Sequence, residues 1–203
     1  MCVKKRIAYI IPGWGASRIR PEYLKIAQFF RNRGIQPVKV PIPWYQKFPL
    51  SADNYVQDFL LRYSHDYFHF INDGGRPEIY VIGFGYGAFA AVATAPAVEP
   101  NGLILCSLPP AFLEVNGGQP NVTRFGKKAC VRNNQPLQPL VEFLPQRTAI
   151  LVGGGEGDAN CITTARLAHS KILGSSLTLV PEAGHDISHP NYLRTIEEII
   201  MTF

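Results

Sequence analysis

At 203 residues and 46% hydrophobic content, the chain is long enough for one domain with a sizeable buried core, and no apolar run approaches the ~20 residues that span a bilayer. Its formal charge of +5 is spread over Lys4-Lys5-Arg6, Arg31/Arg33 and a group at Arg124, Lys127, Lys128 and Arg132. No nucleic-acid-binding motif accompanies these residues, so they read as a solvated basic surface, and neither nucleic acid nor membrane is expected as a partner.

In chain order, strand-length apolar runs alternate with helix-length amphipathic stretches, the pattern of a parallel sheet covered on both faces. Ile7–Ile11 is the first strand. The basic start before it has the look of an export signal, but five apolar residues before Pro12-Gly13 are fewer than the ~7–15 of a signal's apolar core. Tyr23, Ile26, Ala27 and Phe30 recur at i, i+3, i+4, i+7 and form one helical stripe, closed by Gly34. A second strand covers about Pro37–Ile42, and its prolines assign it to a sheet edge. Ser51 reads as an N-cap with Asp53 in the first turn of a long helix. That helix lines up Val56, Phe59, Leu60, Tyr63, Tyr67, Phe70 and Ile71 on one face.

The third strand, Ile79–Ile82, is wholly apolar and therefore central; it runs through Gly83-Phe84-Gly85-Tyr86-Gly87 into an alanine-rich helix, Ala88–Ala95, stopped near Pro96. Leu103–Cys106, Thr148–Val152 and Ser176–Val180 are the remaining strands, with helices over Cys161–Leu173 and Asn191–Thr202. Between the fourth and fifth strands, Leu108–Gln146 is rich in Pro, Asn and Gly, with one short helix near Leu137–Phe143. A connection that long in a compact domain is a lid or a mobile insertion. Cys2, Cys106, Cys130 and Cys161 are widely spaced, which fits thiols in a reducing cytoplasm better than a disulfide framework.

Three segments resemble the α/β-hydrolase superfamily, in that family's chain order of nucleophile, acid and base. Val81-Ile82-Gly83-Phe84-Gly85-Tyr86-Gly87-Ala88 resembles the strand, elbow and helix whose pattern is G-x-S-x-G, with Gly85 at the nucleophile position. Ile150 to Asp158 resembles the strand and turn that carry the acid, making Asp158 the candidate ahead of Glu156. Leu179 to Asp186 resembles the loop that carries the base, making His185 the candidate ahead of His189, which sits beside Pro190 at the start of the last helix. Upstream, Ile10-Ile11-Pro12-Gly13-Trp14-Gly15 resembles the segment that supplies one oxyanion donor. The resemblance implies backbone N–H donors at Trp14 and Tyr86, and a minimal, cap-poor fold: a three-layer α/β/α sandwich on a mostly parallel six-stranded sheet, in a single domain over residues 1–203. It further implies a serine-esterase-like ancestry, small acyl esters as the ligand class, and no cofactor.

Gly85 alters that expectation. Without a side chain, no acyl-enzyme forms at this position, while glycine accepts the positive φ of the elbow without strain. Three readings remain open: a non-catalytic protein that binds a ligand or partner, a slow hydrolase in which His185 and Asp158 activate water, and an esterase disabled by substitution at this one position. Gly83-x-Gly85-x-x-Ala88 also satisfies a dinucleotide fingerprint, but the acid expected at the end of the next strand is replaced by Cys106 and Ser107. Those two are read as pocket wall. His65-Asp66-Tyr67-Phe68-His69 superficially matches a zinc motif; its histidines lie opposite the helix's apolar stripe and face solvent, so no metal is expected. Trp14, Trp44, Tyr45, Phe84, Tyr86, Phe112 and Phe125 are available to an aromatic pocket, with core packing as the alternative for each.

Overall fold

A computed structural model describes residues 5–13, 20–42, 52–72, 76–109, 144–145, 147–155 and 159–203. Its six strands are β1 (Arg6–Ile11), β2 (Gln36–Lys39), β3 (Glu78–Phe84), β4 (Gly102–Cys106), β5 (Thr148–Gly153) and β6 (Ser176–Val180). They pair in the order β2-β1-β3-β4-β5-β6, all parallel. Among the described residues five helices accompany them: α1 (Pro21–Asn32), α2 (Ala52–Asn72), α3 (Tyr86–Val98), α4 (Ala159–Lys171) and α5 (Pro190–Ile200).

The period-2 alternation of the strands sorts the core into two layers. Ile7, Tyr9 and Ile11 of β1, Ile79 and Val81 of β3, and Leu103 and Leu105 of β4 face α2, α3 and α4. Their neighbours Ala8, Ile10, Tyr80, Ile82, Ile104 and Cys106 face α1 and α5. Both faces being buried explains why the inner strands read as unbroken apolar runs. The stripe of α1 lies where its periodicity puts it, with Tyr23, Ile26, Ala27 and Phe30 all buried. Gly34, at φ 67°, follows that helix, and the Ile35 N–H returns to the Phe30 carbonyl.

Several boundaries differ from expectation for identifiable reasons. Strand β2 is an edge strand as expected but ends at Lys39; one further bond, from Val40 N–H to the Ile10 carbonyl, precedes Pro41. Helix α3 does not stop at Pro96 but continues to Val98. A proline removes one N–H donor there, close to a terminus that Glu99 closes by donating its own N–H to the Ala95 carbonyl. On α2, Phe59 and Tyr63 are buried and His65 and His69 are exposed, as the stripe requires. Asp66, between the histidines, is nonetheless only 6% exposed. It receives the Arg62 Nε–H at 2.8 Å and takes a hydrogen bond from Tyr9 of β1. Ser51, the short helix near Leu137–Phe143 and the side chains of Asp53, Phe70 and Ile71 lie outside the described residues, as does most of the connection 108–146. Among the described residues no helix is long and apolar enough to cross a membrane.

Candidate active site

The strand order reverses between β1 and β3, so the chain leaves neighbouring strands in opposite directions and opens a crevice at their C-terminal ends. The elbow occupies that switch point. Gly85 has φ 52° and ψ −116° and stands as N-cap of α3, with the Ala88 and Phe89 N–H groups donating to its carbonyl. Its own N–H donates to the Cys106 carbonyl at 2.8 Å, tying the elbow to the end of β4. Close backbone packing makes the turn possible. A Cβ on Gly83 would overlap the Gly87 carbonyl, and one on Gly87 would overlap the carbonyls of Ile11 and Pro12. A Cβ on Gly85, by contrast, would meet nothing within 4 Å. Gly83 and Gly87 are thus glycine for packing, and the fingerprint spacing they share with dinucleotide sites has a cause that needs no pyrophosphate.

Tyr86 is the first residue of α3 and half-buried, so its backbone lies at a helix N-terminus beside the elbow. Across the switch point, the Gly13 N–H donates to the Tyr23 hydroxyl at 3.1 Å, anchoring the chain as it leaves β1 toward residue 14. Burial pushes the Tyr23 phenol up to about 12, with the Gly13 hydrogen bond opposing the shift. Trp14, the other expected oxyanion donor, lies outside the described residues, as do Trp44, Tyr45, Phe112 and Phe125. Phe84 is not a pocket residue: it is buried and packs edge-on against Tyr23, ring centroids 5.2 Å apart.

The loop after β6 carries His185. It docks on the end of β5 so closely that a Cβ on Gly153 would overlap the Gly184 carbonyl, and the Gly154 N–H donates to the Val180 carbonyl at 2.7 Å. His185 is exposed, and its Nε2 lies 3.5 Å from Sγ of Cys161 in the first turn of α4. His189 is the N-cap of α5, accepting the Asn191 N–H at its ring, which gives it the local capping role expected from Pro190. Asp186, beside His185, accepts the Ser188 hydroxyl at 2.6 Å and the Ser188 N–H at 2.8 Å, and these bonds hold its carboxyl below the usual range. Asp158 and Glu156 lie outside the described residues.

Two features at this rim are not legible in the sequence motifs. Ser107, which follows β4, has φ 51°, in the left-handed region that serine rarely occupies. Its hydroxyl lies 3.2 Å from the hydroxyl of Tyr192 on α5. Tyr192 is fully buried; desolvation, with the Cys106 thiol nearby, pushes its phenol well up. Cys106 lies deeper than a pocket wall, with no exposed surface, and burial pushes its thiol up as well. Among the described residues, no group of three or more His, Cys, Asp or Glu is placed to hold a metal ion.

The sheet order, the helices on both faces and the turn at Gly85 define an α/β-hydrolase fold. Solved structures agree. The chain is similar to Est1E from Butyrivibrio proteoclasticus, with a TM-score of 0.74 at 15% identity, covering 98% of this chain and 87% of that one. It is similar to XC6422 from Xanthomonas campestris, described as an α/β serine hydrolase without lid, with a TM-score of 0.65 at 16% identity over 98% of this chain and 81% of that one. A dienelactone hydrolase from Anabaena variabilis gives a TM-score of 0.64 at 17% identity over 100% and 88% of the two chains. At such identities the likeness is one of fold. No protein-family model matches the chain, and no curated protein sequence does.

Proposed function

We propose that this is an esterase-like α/β-hydrolase in which turnover of small acyl esters through an acyl-enzyme is absent or strongly reduced. The observation that carries the reading is the turn at Gly85, which joins β3 to α3 at φ 52° and ψ −116° and has no side chain; on this reading it is the elbow, and position 85 is that of the nucleophile. In a serine hydrolase the base takes the hydroxyl proton, the oxygen attacks the acyl carbon, and two backbone N–H groups hold the developing oxyanion. On this reading His185 is the base, Asp158 orients it, and Trp14 and Tyr86 give the N–H groups. What remains available is attack by water. Enzymes that lose a triad member keep roughly 10³–10⁴-fold catalysis over the uncatalysed rate, from the oxyanion hole and binding alone.

The test compares p-nitrophenyl acetate and butyrate hydrolysis by the native chain, Gly85→Ser and His185→Ala. A gain of about 10²-fold or more in kcat/KM for Gly85→Ser, with fluorophosphonate labelling at position 85, is expected. No gain in a folded Gly85→Ser variant overturns the esterase reading and leaves a ligand- or partner-binding protein. Fluorophosphonate labelling of the native chain at another serine, Ser107 included, refutes the assignment of the nucleophile position. Residual activity that vanishes in His185→Ala identifies attack by water.

A further inference from the structure

We propose that Cys161 is a reactive thiol, activated by His185, that forms covalent adducts with soft carbon electrophiles of the α,β-unsaturated carbonyl class. The two residues come from different elements: Cys161 from the first turn of α4, His185 from the loop after β6. The fold brings Sγ and Nε2 to 3.5 Å, within hydrogen-bonding reach of a sulfur. An imidazole at that distance is a proton acceptor for the thiol, and the backbone dipoles of a helix's first turn favour the thiolate that results. A neighbouring imidazole and a helix N-terminus are two of the surroundings that lower a thiol's pKa. Cys106 supplies the contrast within the same molecule. It has no exposed surface, burial raises its thiol, and its polar neighbour is the neutral phenol of Tyr192. Cys161 is itself buried, 7% exposed, whereas His185, whose ring it faces, is an exposed residue.

The chemistry balances without an added oxidant or reductant. His185 Nε2 takes the Sγ proton, and the sulfur lone pair forms an S–C bond at the β-carbon of the electrophile. The C=C π pair moves to the α-carbon, which takes the proton back from the imidazolium. The product is a thioether in which every atom of both partners is kept. Such an adduct leaves a thioether, which has no proton to share, facing Nε2. The step itself requires neither an ester nor a residue at position 85, so it stands apart from the hydrolase reading.

Acrylamide is a small probe of this class. The full chain is treated at neutral pH and each cysteine peptide is followed by mass spectrometry, beside the same chain unfolded in urea. Cys161 is expected to react at least about tenfold faster than Cys106 in the native chain, and faster than in the unfolded chain, where no imidazole is held beside it. His185→Ala and His185→Gln should each lower the Cys161 rate about tenfold while leaving its rate in urea unchanged. Circular dichroism verifies that both variants fold. A native Cys161 rate no greater than that of Cys106, or an undiminished rate in both His185 variants, overturns the proposal. Ester turnover does not enter this measurement, so its failure and that of the esterase reading are separately visible.

Discussion

Two adjacent strand ends at the rim of the sheet share nearly the same positive φ and carry different side chains. Gly85, after β3, has φ 52°; Ser107, after β4, has φ 51°, and the Gly85 N–H is bonded to the carbonyl of the residue before Ser107. One position has no side chain and open space where a Cβ would stand. The other keeps a serine whose hydroxyl is held against a buried phenol. The fold therefore accepts a serine at positive φ on this rim when a partner holds it. Open space at position 85 means that packing does not exclude a side chain there; the positive φ is the cost that one would carry.

The comparison predicts a steep hierarchy among glycine substitutions. Gly83→Ala drives a methyl group into the Gly87 carbonyl and the Ala88 backbone, which have no flexible end to yield. It should cost about 3 kcal/mol or more, read as a shift of the urea midpoint. Gly85→Ala places the same methyl group in open space and meets only the strain of positive φ. Its expected cost is about 1–2 kcal/mol, measured in the same way. Equal costs for the two variants would break the distinction between packing glycines and the elbow glycine. A cost for Gly85→Ser below that of Gly85→Ala would show that the rim offers its hydroxyl a partner, as it does for Ser107.

How far the sequence reaches depends on the range of the interactions involved. The α1 stripe, the burial of β3 and the cap at His189 follow from spacing within a few residues, and the structure has them in place. Pro96 misleads because its local rule assumes a helix interior, whereas here only two helical residues follow it. Asp66 looks like a surface residue between two exposed histidines because its phenolic partner, Tyr9, lies on a strand 57 positions earlier. The Cys161–His185 contact and the Ser107–Tyr192 contact likewise join segments whose proximity only the sheet order creates. The strand–turn–helix at residues 83–87 was legible because its glycines sit at fixed offsets; the partners around it carry no such spacing.

Tyr192→Phe probes the restraint on the serine side of the comparison. The substitution keeps the ring that fills the core between α5 and the sheet and removes the hydroxyl shared with Ser107 and Cys106. The expected loss is about 1 kcal/mol, the net worth of a hydrogen bond whose remaining partner is half-buried. An unchanged urea midpoint would mean that Ser107 is held at positive φ by the backbone alone, through its N–H bond to the Leu151 carbonyl.

The smallest effect should come from making the two strand ends alike. Ser107→Gly removes the strain of φ 51°, a gain of about 0.5–1 kcal/mol, and also removes the hydroxyl bond to Tyr192, a loss of about 1 kcal/mol. The two nearly cancel, so the variant should lie within about 0.5 kcal/mol of the native chain. Ser107→Ala keeps the strain and loses the bond, and should therefore be the less stable of the pair by about 0.5–1 kcal/mol. Combining either change with Tyr192→Phe closes a double-mutant cycle, since the hydroxyls are in contact and their losses should not add. A cycle with no coupling would leave the left-handed serine without its side-chain explanation and return the difference between the strand ends to the backbone.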